Sequence, residues 1–273
     1  MKPNGGMAVR LAWTLVLLCA VPAANGVSHA GVPVADHRAS SLLETPLWHR
    51  PSGEPGALFF LGDHRYEAGS VPVSIAHGRF DADDRPDLAT ANSGGQSFSV
   101  LLQGADLAFA KHAEVPLGAA PAWIAAGDAN GDAFDDVALV LGEAATLVVL
   151  TCDGAGGFVE EGRYPTGLAP TCVSFADLDA DGDLDLACTN SGDNTVSVFR
   201  NRGARAASVT DPLFDPAAAY AVGVDPRHLI VGDFTGDGVT DIATANDVGQ
   251  SVSVLPGHGA GAFDPAIETA LPG

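Results

Sequence analysis

The chain has 273 residues, 34 of them acidic and 13 basic, for a formal net charge of −21. That balance argues against a nucleic-acid partner, since phosphate binding needs a basic face, and against adhesion to anionic lipid. Apolar residues make up 47% of the chain and fall in regular runs, which speaks against the disorder that high charge and few aromatics would otherwise suggest.

The first predicted element, residues 1–30, reads as a secretory signal. Lys2 and Arg10 form a short basic region, Leu11–Val21 is apolar, and small residues follow, with cleavage after Gly26 or Ala30. The apolar run is too short to span a bilayer comfortably. Leu18 stands before Cys19, where a lipoprotein signal needs a small residue. No later stretch is apolar enough to cross a membrane, so a secreted, periplasmic or cell-surface chain with no membrane insertion after cleavage is expected. Residues 31–56 read as a linker. From 57 onward the chain is expected to be one repeat domain, with Ala57–Gly69 adding one or two strands to the first or last repeat. Tyr66–Gly69 resembles Tyr220–Gly223.

Four segments then align without gaps: GRFDADDRPDLAT from Gly78, GDANGDAFDDVAL from Gly127, ADLDADGDLDLAC from Ala176 and GDFTGDGVTDIAT from Gly232. Their final aspartates, Asp87, Asp136, Asp185 and Asp241, are spaced by 49, 49 and 56 residues. A proline column (Pro72, Pro121, Pro170, Pro226) and an aliphatic column (Ile75, Ile124, Val173, Leu229) precede them in the same register, and a valine column (Val100, Val149, Val198, Val254) follows. Each repeat reads as strand, acidic loop, strand (DLATA, DVALV, DLACT, DIATA), turn, strand, glycine-rich turn and a weaker fourth strand. Four strands in 40–50 residues is the arithmetic of a propeller blade. The expected fold is therefore all-β, a segment of about four four-stranded blades (about 71–119, 120–168, 169–224 and 225–273), forming an open or incomplete ring. The aliphatic and valine columns are expected to be buried between blades. Blade faces left open at the ends imply a homo-oligomer.

The third repeat carries seven extra residues before Pro226, near Arg200, Arg202 and Arg205. They read either as a partner-binding loop or as a tolerated surface insertion. Cys152, Cys172 and Cys188 are an odd number once Cys19 has left with the signal. A Cys172–Cys188 bridge is conceivable, but three small buried strand residues is the preferred reading.

The acidic loops carry the chemistry. The third offers Asp177, Asp179, Asp181, Asp183 and Asp185, with Gly182 at the sixth position to permit a sharp reversal. Alternating carboxylates along a tight turn aim at one centre, and hard oxygen ligands in this number suit Ca²⁺. The fourth offers Asp233, Thr235, Asp237 and Asp241; the second offers Asp128, Asn130, Asp132 and Asp136, with Ala133 in place of the glycine. The first is degraded: Asp81, Asp83 and Asp87 remain, but Arg79 replaces the leading carboxylate and Asp84 the glycine. Arg79 is expected to reach into that loop and substitute for the metal charge. The bland alternative is a set of Asx turns without metal.

The pattern GDFTGDGVTDIATAND…SVSVLPGHGAGAF resembles the FG-GAP/VCBS repeat of integrin α-subunit propellers and many bacterial secreted proteins. The resemblance covers about residues 67–273. It implies a propeller with calcium held between the first two strands of each blade, and a role in adhesion or in binding an extracellular protein or glycan. It implies no reaction. The eight histidines share no repeat column and no hydrolase, zinc or phosphate-loop signature is present, so an enzyme is not expected. A carbohydrate-binding module, or the non-catalytic part of a polysaccharide-active enzyme, is the alternative. Lectin-like propellers repeat aromatics at loop tips, whereas Trp123, Tyr164 and Tyr220 do not share one column, which disfavours a repeated sugar site.

Overall fold

The computed structural model describes residues 65–203 and 211–271. The expected secretory signal, the expected linker and the start of Ala57–Gly69 lie outside them, as does Arg205. The repeat unit is described from Arg65 onward. Its described residues form sixteen strands: β1 (Pro72–Gly78), β2 (Asp87–Asn92), β3 (Ser97–Gln103), β4 (Phe109–Pro116), β5 (Pro121–Gly127), β6 (Asp136–Leu141), β7 (Thr146–Cys152), β8 (Phe158–Pro165), β9 (Pro170–Ala176), β10 (Asp185–Asn190), β11 (Thr195–Phe199), β12 (Ala218–Ala221), β13 (Pro226–Gly232), β14 (Asp241–Asn246), β15 (Ser251–Leu255) and β16 (Ile267–Ala270). Consecutive strands pair antiparallel in four four-stranded meanders, one per sequence repeat.

The columns acquire structural reasons. Each proline opens its strand, and the register slips by one residue just after it in all four repeats, between Pro72 and Ser74, Pro121 and Trp123, Pro170 and Cys172, and Pro226 and His228. Proline has no N–H to give a ladder, so a strand start at a bulge is where a sheet tolerates it. The turn between the second and third strands repeats as well: Gln96, Ala145, Asn194 and Gln250 occupy one column, all with φ between 46° and 58°.

Side chains alternate across each sheet, giving two faces. One carries the aliphatic column, the other the valine column. Val100 with Ala89, Ala91 and Phe98 packs on Ile124, Leu139 and Val148 of the next sheet. Val149, Ala138 and Val140 pack on Val173, Leu186 and Cys188. Val198, Ala187 and Val196 pack on Leu229, Ile242 and Leu255. Every junction thus sets a valine face on the following aliphatic face. Among the described residues the first and fourth sheets do not pack on each other, and the array is unclosed.

Two column members depart from expectation for that reason. Ile124, Val173 and Leu229 are 2–3% exposed, but Ile75 is 50% exposed, because no described sheet precedes its face. Val254 is only half-buried because no described sheet follows it. Aromatic pairs staple the junctions. Tyr66 meets Phe109, Tyr164 meets Phe214 and Tyr220 meets Phe263 edge-on, with centroids 5.3–5.7 Å apart. Tyr66, Tyr164 and Tyr220 share a column, with Val115 as its fourth member, and Tyr164 and Tyr220 lie at seams between sheets rather than at loop tips. Trp123 is separate: it lies in β5, edge-on to His228 of β13 at 5.1 Å.

Cys152, Cys172 and Cys188 are free and buried. Cys172 points to the valine face of its sheet and Cys188 to the aliphatic face, so no bridge joins them. Burial pushes their thiols up to about 11, 11 and 12 respectively, which makes them inert nucleophiles.

Candidate metal centre

The four acidic loops span residues 79–86, 128–135, 177–184 and 233–240, each joining the first and second strands of a sheet. The aspartate that follows each loop is the first residue of the second strand and is fully buried. It works as a clamp. One oxygen accepts the backbone N–H of the loop's second residue: Phe80 → Asp87 3.0 Å, Ala129 → Asp136 3.1 Å, Leu178 → Asp185 2.9 Å and Phe234 → Asp241 2.8 Å. The other accepts the N–H at the end of the third strand: Gln103 2.9 Å, Cys152 2.8 Å, Asn201 2.6 Å and Gly257 2.7 Å. Sequence reasoning took these aspartates as metal ligands only. Their invariant place at the first residue of a strand was the signal for the second role.

Backbone conformation is equally regular. The sixth loop residue is left-handed in all four, whether it is glycine or not: Asp84 (φ 61°), Ala133 (74°), Gly182 (95°) and Gly238 (84°). A second left-handed residue stands at position four in loops two to four: Gly131, Ala180 and Gly236. The leading aspartate accepts N–H groups from these turns. Asp177 takes Ala180 at 2.7 Å and Gly182 at 3.2 Å; Asp233 takes Gly236 at 2.6 Å and Gly238 at 2.9 Å; Asp128 takes Gly131 at 2.8 Å and Ala133 at 2.8 Å. The Asx turns foreseen as an alternative are thus present. They do not preclude a cation in the third loop, because each Asp177 oxygen accepts one of these N–H groups and keeps a second lone pair.

In the third loop Asp177, Asp179 and Asp185 each bring one oxygen to within 4.8 Å of the others, an arrangement that could hold a metal ion. Asp181 is exposed at the tip and accepts the Asp183 N–H at 2.9 Å. Asp183 does not join the convergent three. Its carboxylate lies against Gly203, where an added Cβ would come within 2.6 Å of it. Among the described residues no other loop brings three such groups together in this way, although Asp128, Asn130, Asp132 and Asp136, and Asp233, Thr235, Asp237 and Asp241, occupy equivalent positions.

The electrostatics agree with a site that wants a cation. Burial, together with the charges of Asp179 and Asp181, pushes Asp185 up to about 6 against the N–H bonds of Asn201 and Leu178. Burial likewise pushes Asp136 up to about 7, with Asp132 and Asp128 adding to it. Asp179 is raised by burial and by the Asp181 carboxylate beside it. At Asp241 burial also raises the carboxyl, but N–H groups of Gly257, Phe234 and Thr235 outweigh it and hold it below the usual range.

The first loop is closed differently. Arg85, not Arg79, supplies the positive charge: its guanidinium pairs with Asp83 and donates to the Gln103 carbonyl at 2.8 Å. Arg79 instead pairs with Asp84 at the loop's sixth position, at 3.0 Å, and lies over the Phe134 ring. Its backbone N–H goes to Asp135 of the next repeat at 2.7 Å. Asp81 accepts the Asp83 N–H at 2.9 Å. The leading carboxylate is missing and Asp83 is already paired, and among the described residues Asp81, Asp83 and Asp87 do not converge as the three of the third loop do. The insertion arginines are also occupied in part, since Arg202 and Arg200 both reach Asp215, at 2.7 and 3.5 Å.

Meandering four-stranded sheets packed face to face, with a clamped acidic loop in each, define a propeller-type repeat protein. Residues 177–244, from the third acidic loop into β14, match the FG-GAP-like repeat. No curated protein matches the sequence. Among solved structures, a protein from Lactobacillus plantarum aligns with a TM-score of 0.57 at 18% identity, over 77% of this chain and 59% of its own. BBS1N, in a complex with ARL6DN, aligns with a TM-score of 0.51 at 12% identity, over 75% of this chain and 58% of its own. These likenesses show the fold alone, and this chain spans less than two-thirds of either structure.

Proposed function

We propose that this chain is a secreted, calcium-stabilised propeller module that binds an extracellular protein or other ligand and catalyses no reaction. The observation that carries the reading is the convergence of Asp177, Asp179 and Asp185 at the start of the segment that matches the FG-GAP-like repeat. The donors are all oxygen, without histidine or cysteine, which suits Ca²⁺ over a transition metal. The ion would be held by those three carboxylates, with Asp181 nearby. It would supply the charge that relieves their mutual repulsion, and so join the loop to the clamp that already ties the first three strands together. Loops two and four share the left-handed turns and the leading aspartate, and take the same role. Such modules use calcium structurally, as a brace for a binding surface.

Calorimetric titration with Ca²⁺ tests this directly. Three ions per chain are expected, with affinities of about 10⁻⁴–10⁻³ M, the range of extracellular modules. Asp179→Ala should remove one ion, and Asp81→Ala none. A titration without heat, or an unchanged count in Asp179→Ala, would overturn the calcium reading.

A further inference from the structure

The aliphatic face of the first sheet is a near copy of the aliphatic face of the fourth. In the first, one row across the strands reads Ile75, Thr90, Ser99, Glu114; in the fourth it reads Leu229, Thr244, Ser253, Glu268. Both carry the same hydrogen-bonded ladder. Asn92 donates to Ser99 at 3.0 Å and Ser97 donates to Glu114 at 2.7 Å. Asn246 donates to Ser253 at 2.9 Å, and Ser251 donates to Glu268. A glycine of the preceding segment crosses each ladder, Gly69 over Asn92 and Gly223 over Asn246.

The fourth sheet's version of this face is docked on a valine face, that of the third sheet. The first sheet's version has no described sheet on it. On the described residues the one valine face without a following sheet belongs to the fourth sheet, where the row is Ile230, Ala243, Val254, Ile267. The outer members of that row are larger than in the internal valine faces, which carry Ala76 and Ala113, Ala125 and Gly162, and Ser174 and Ala218. A repeat face that stands in water carries polar residues there. Here Ile230 and Ile267 stand 54% and 59% exposed.

We propose that two copies of this chain associate head to tail, the aliphatic face of the first sheet in one copy receiving the valine face of the fourth sheet in the other. The contact continues the junction used three times inside the chain. Because its two halves differ, it is heterologous, and two copies close when both contacts form. It goes beyond the calcium reading and does not depend on it.

Light scattering on the full chain, at about 0.15 M ionic strength to screen like charges, should give twice the chain mass. Ile75→Lys and Ile267→Lys each place a charge on one half of the contact. Both side chains are exposed, so circular dichroism should show both variants folded, with Ile230→Lys as a second variant of the fourth-sheet half. Each variant alone should run as a monomer. An equimolar mixture of Ile75→Lys and Ile267→Lys should pair again, because one undamaged contact remains between them. A monomeric wild type overturns the proposal. So does an Ile75→Lys variant that still pairs by itself, which would mean a contact between two fourth sheets.

Discussion

The first and third acidic loops end on the same clamp, yet arrange their charged groups in opposite ways. In the third, Asp177, Asp179 and Asp185 converge, and burial lifts the last to about 6. In the first, the guanidinium of Arg85 lies on Asp83. Desolvation raises the Asp83 carboxyl, but the Arg85 N–H, the Asp81 hydrogen bond and the arginine charge together hold it below the usual range. The difference separates two tasks that the motif superimposes. The clamp aspartate builds the hairpin and is needed in every repeat. The remaining carboxylates of the third loop could hold a cation, whereas in the first loop a guanidinium stands among them. Asp84 at the left-handed sixth position, with φ 61°, shows that the turn outlasts the loss of both its glycine and its leading aspartate.

The comparison is broken most directly at the clamps. Asp185→Ala and Asp87→Ala each leave two buried N–H groups without acceptors, those of Leu178 and Asn201 or of Phe80 and Gln103. Each should cost roughly 2–5 kcal/mol in EDTA, read by urea unfolding, with Asp185→Asn in between because it keeps one acceptor. A mild Asp87→Ala would mean that the first repeat holds its hairpin without the clamp.

Acidity probes the metal half. Asp136 and Asp185 have folded-state values of about 7 and about 6, against 3.8 for the free side chain. A raised folded value gives stability that is fully present below the unfolded value and lost as pH rises through the folded one. Without calcium, the melting temperature should therefore fall between about pH 4 and pH 7, by a few degrees. Saturating calcium favours the ionised carboxylates and should flatten or reverse the slope. A metal-free profile that rises over this window would contradict the burial argument.

The smallest effect is expected at the arginine. Arg85→Ala removes the cation of the first loop, and because the pair is partly exposed the melting temperature should drop only slightly. Calcium should not restore it, since Arg79 leaves the loop without a leading carboxylate. Rescue of Arg85→Ala by calcium would place the first loop among the metal sites after all.

Much of this was legible in the chain as written. Identical spacing in the proline, aspartate and valine columns fixes where strands start, where the loops lie and which residues share a sheet face, because period-two alternation and turn chemistry act between near neighbours. Proline at a strand start, glycine or its stand-in at the sixth loop position, and a buried residue at the head of each second strand are local requirements, so they repeat with the sequence. Tertiary structure decided the rest. Which arginine closes the first loop depends on the end of β3, since Arg85 is held by the Gln103 carbonyl eighteen residues away. Which carboxylates converge depends on β10 beginning beneath the third loop, which selects Asp177, Asp179 and Asp185 and leaves Asp183 against Gly203. Whether a column member is core depends on a neighbouring sheet: Ile124 and Ile75 occupy the same position in their repeats, and one is 2% exposed while the other is 50% exposed. A sequence column specifies the face a side chain takes. Burial of that face is a contact with another part of the chain, and a repeat does not encode its own neighbour.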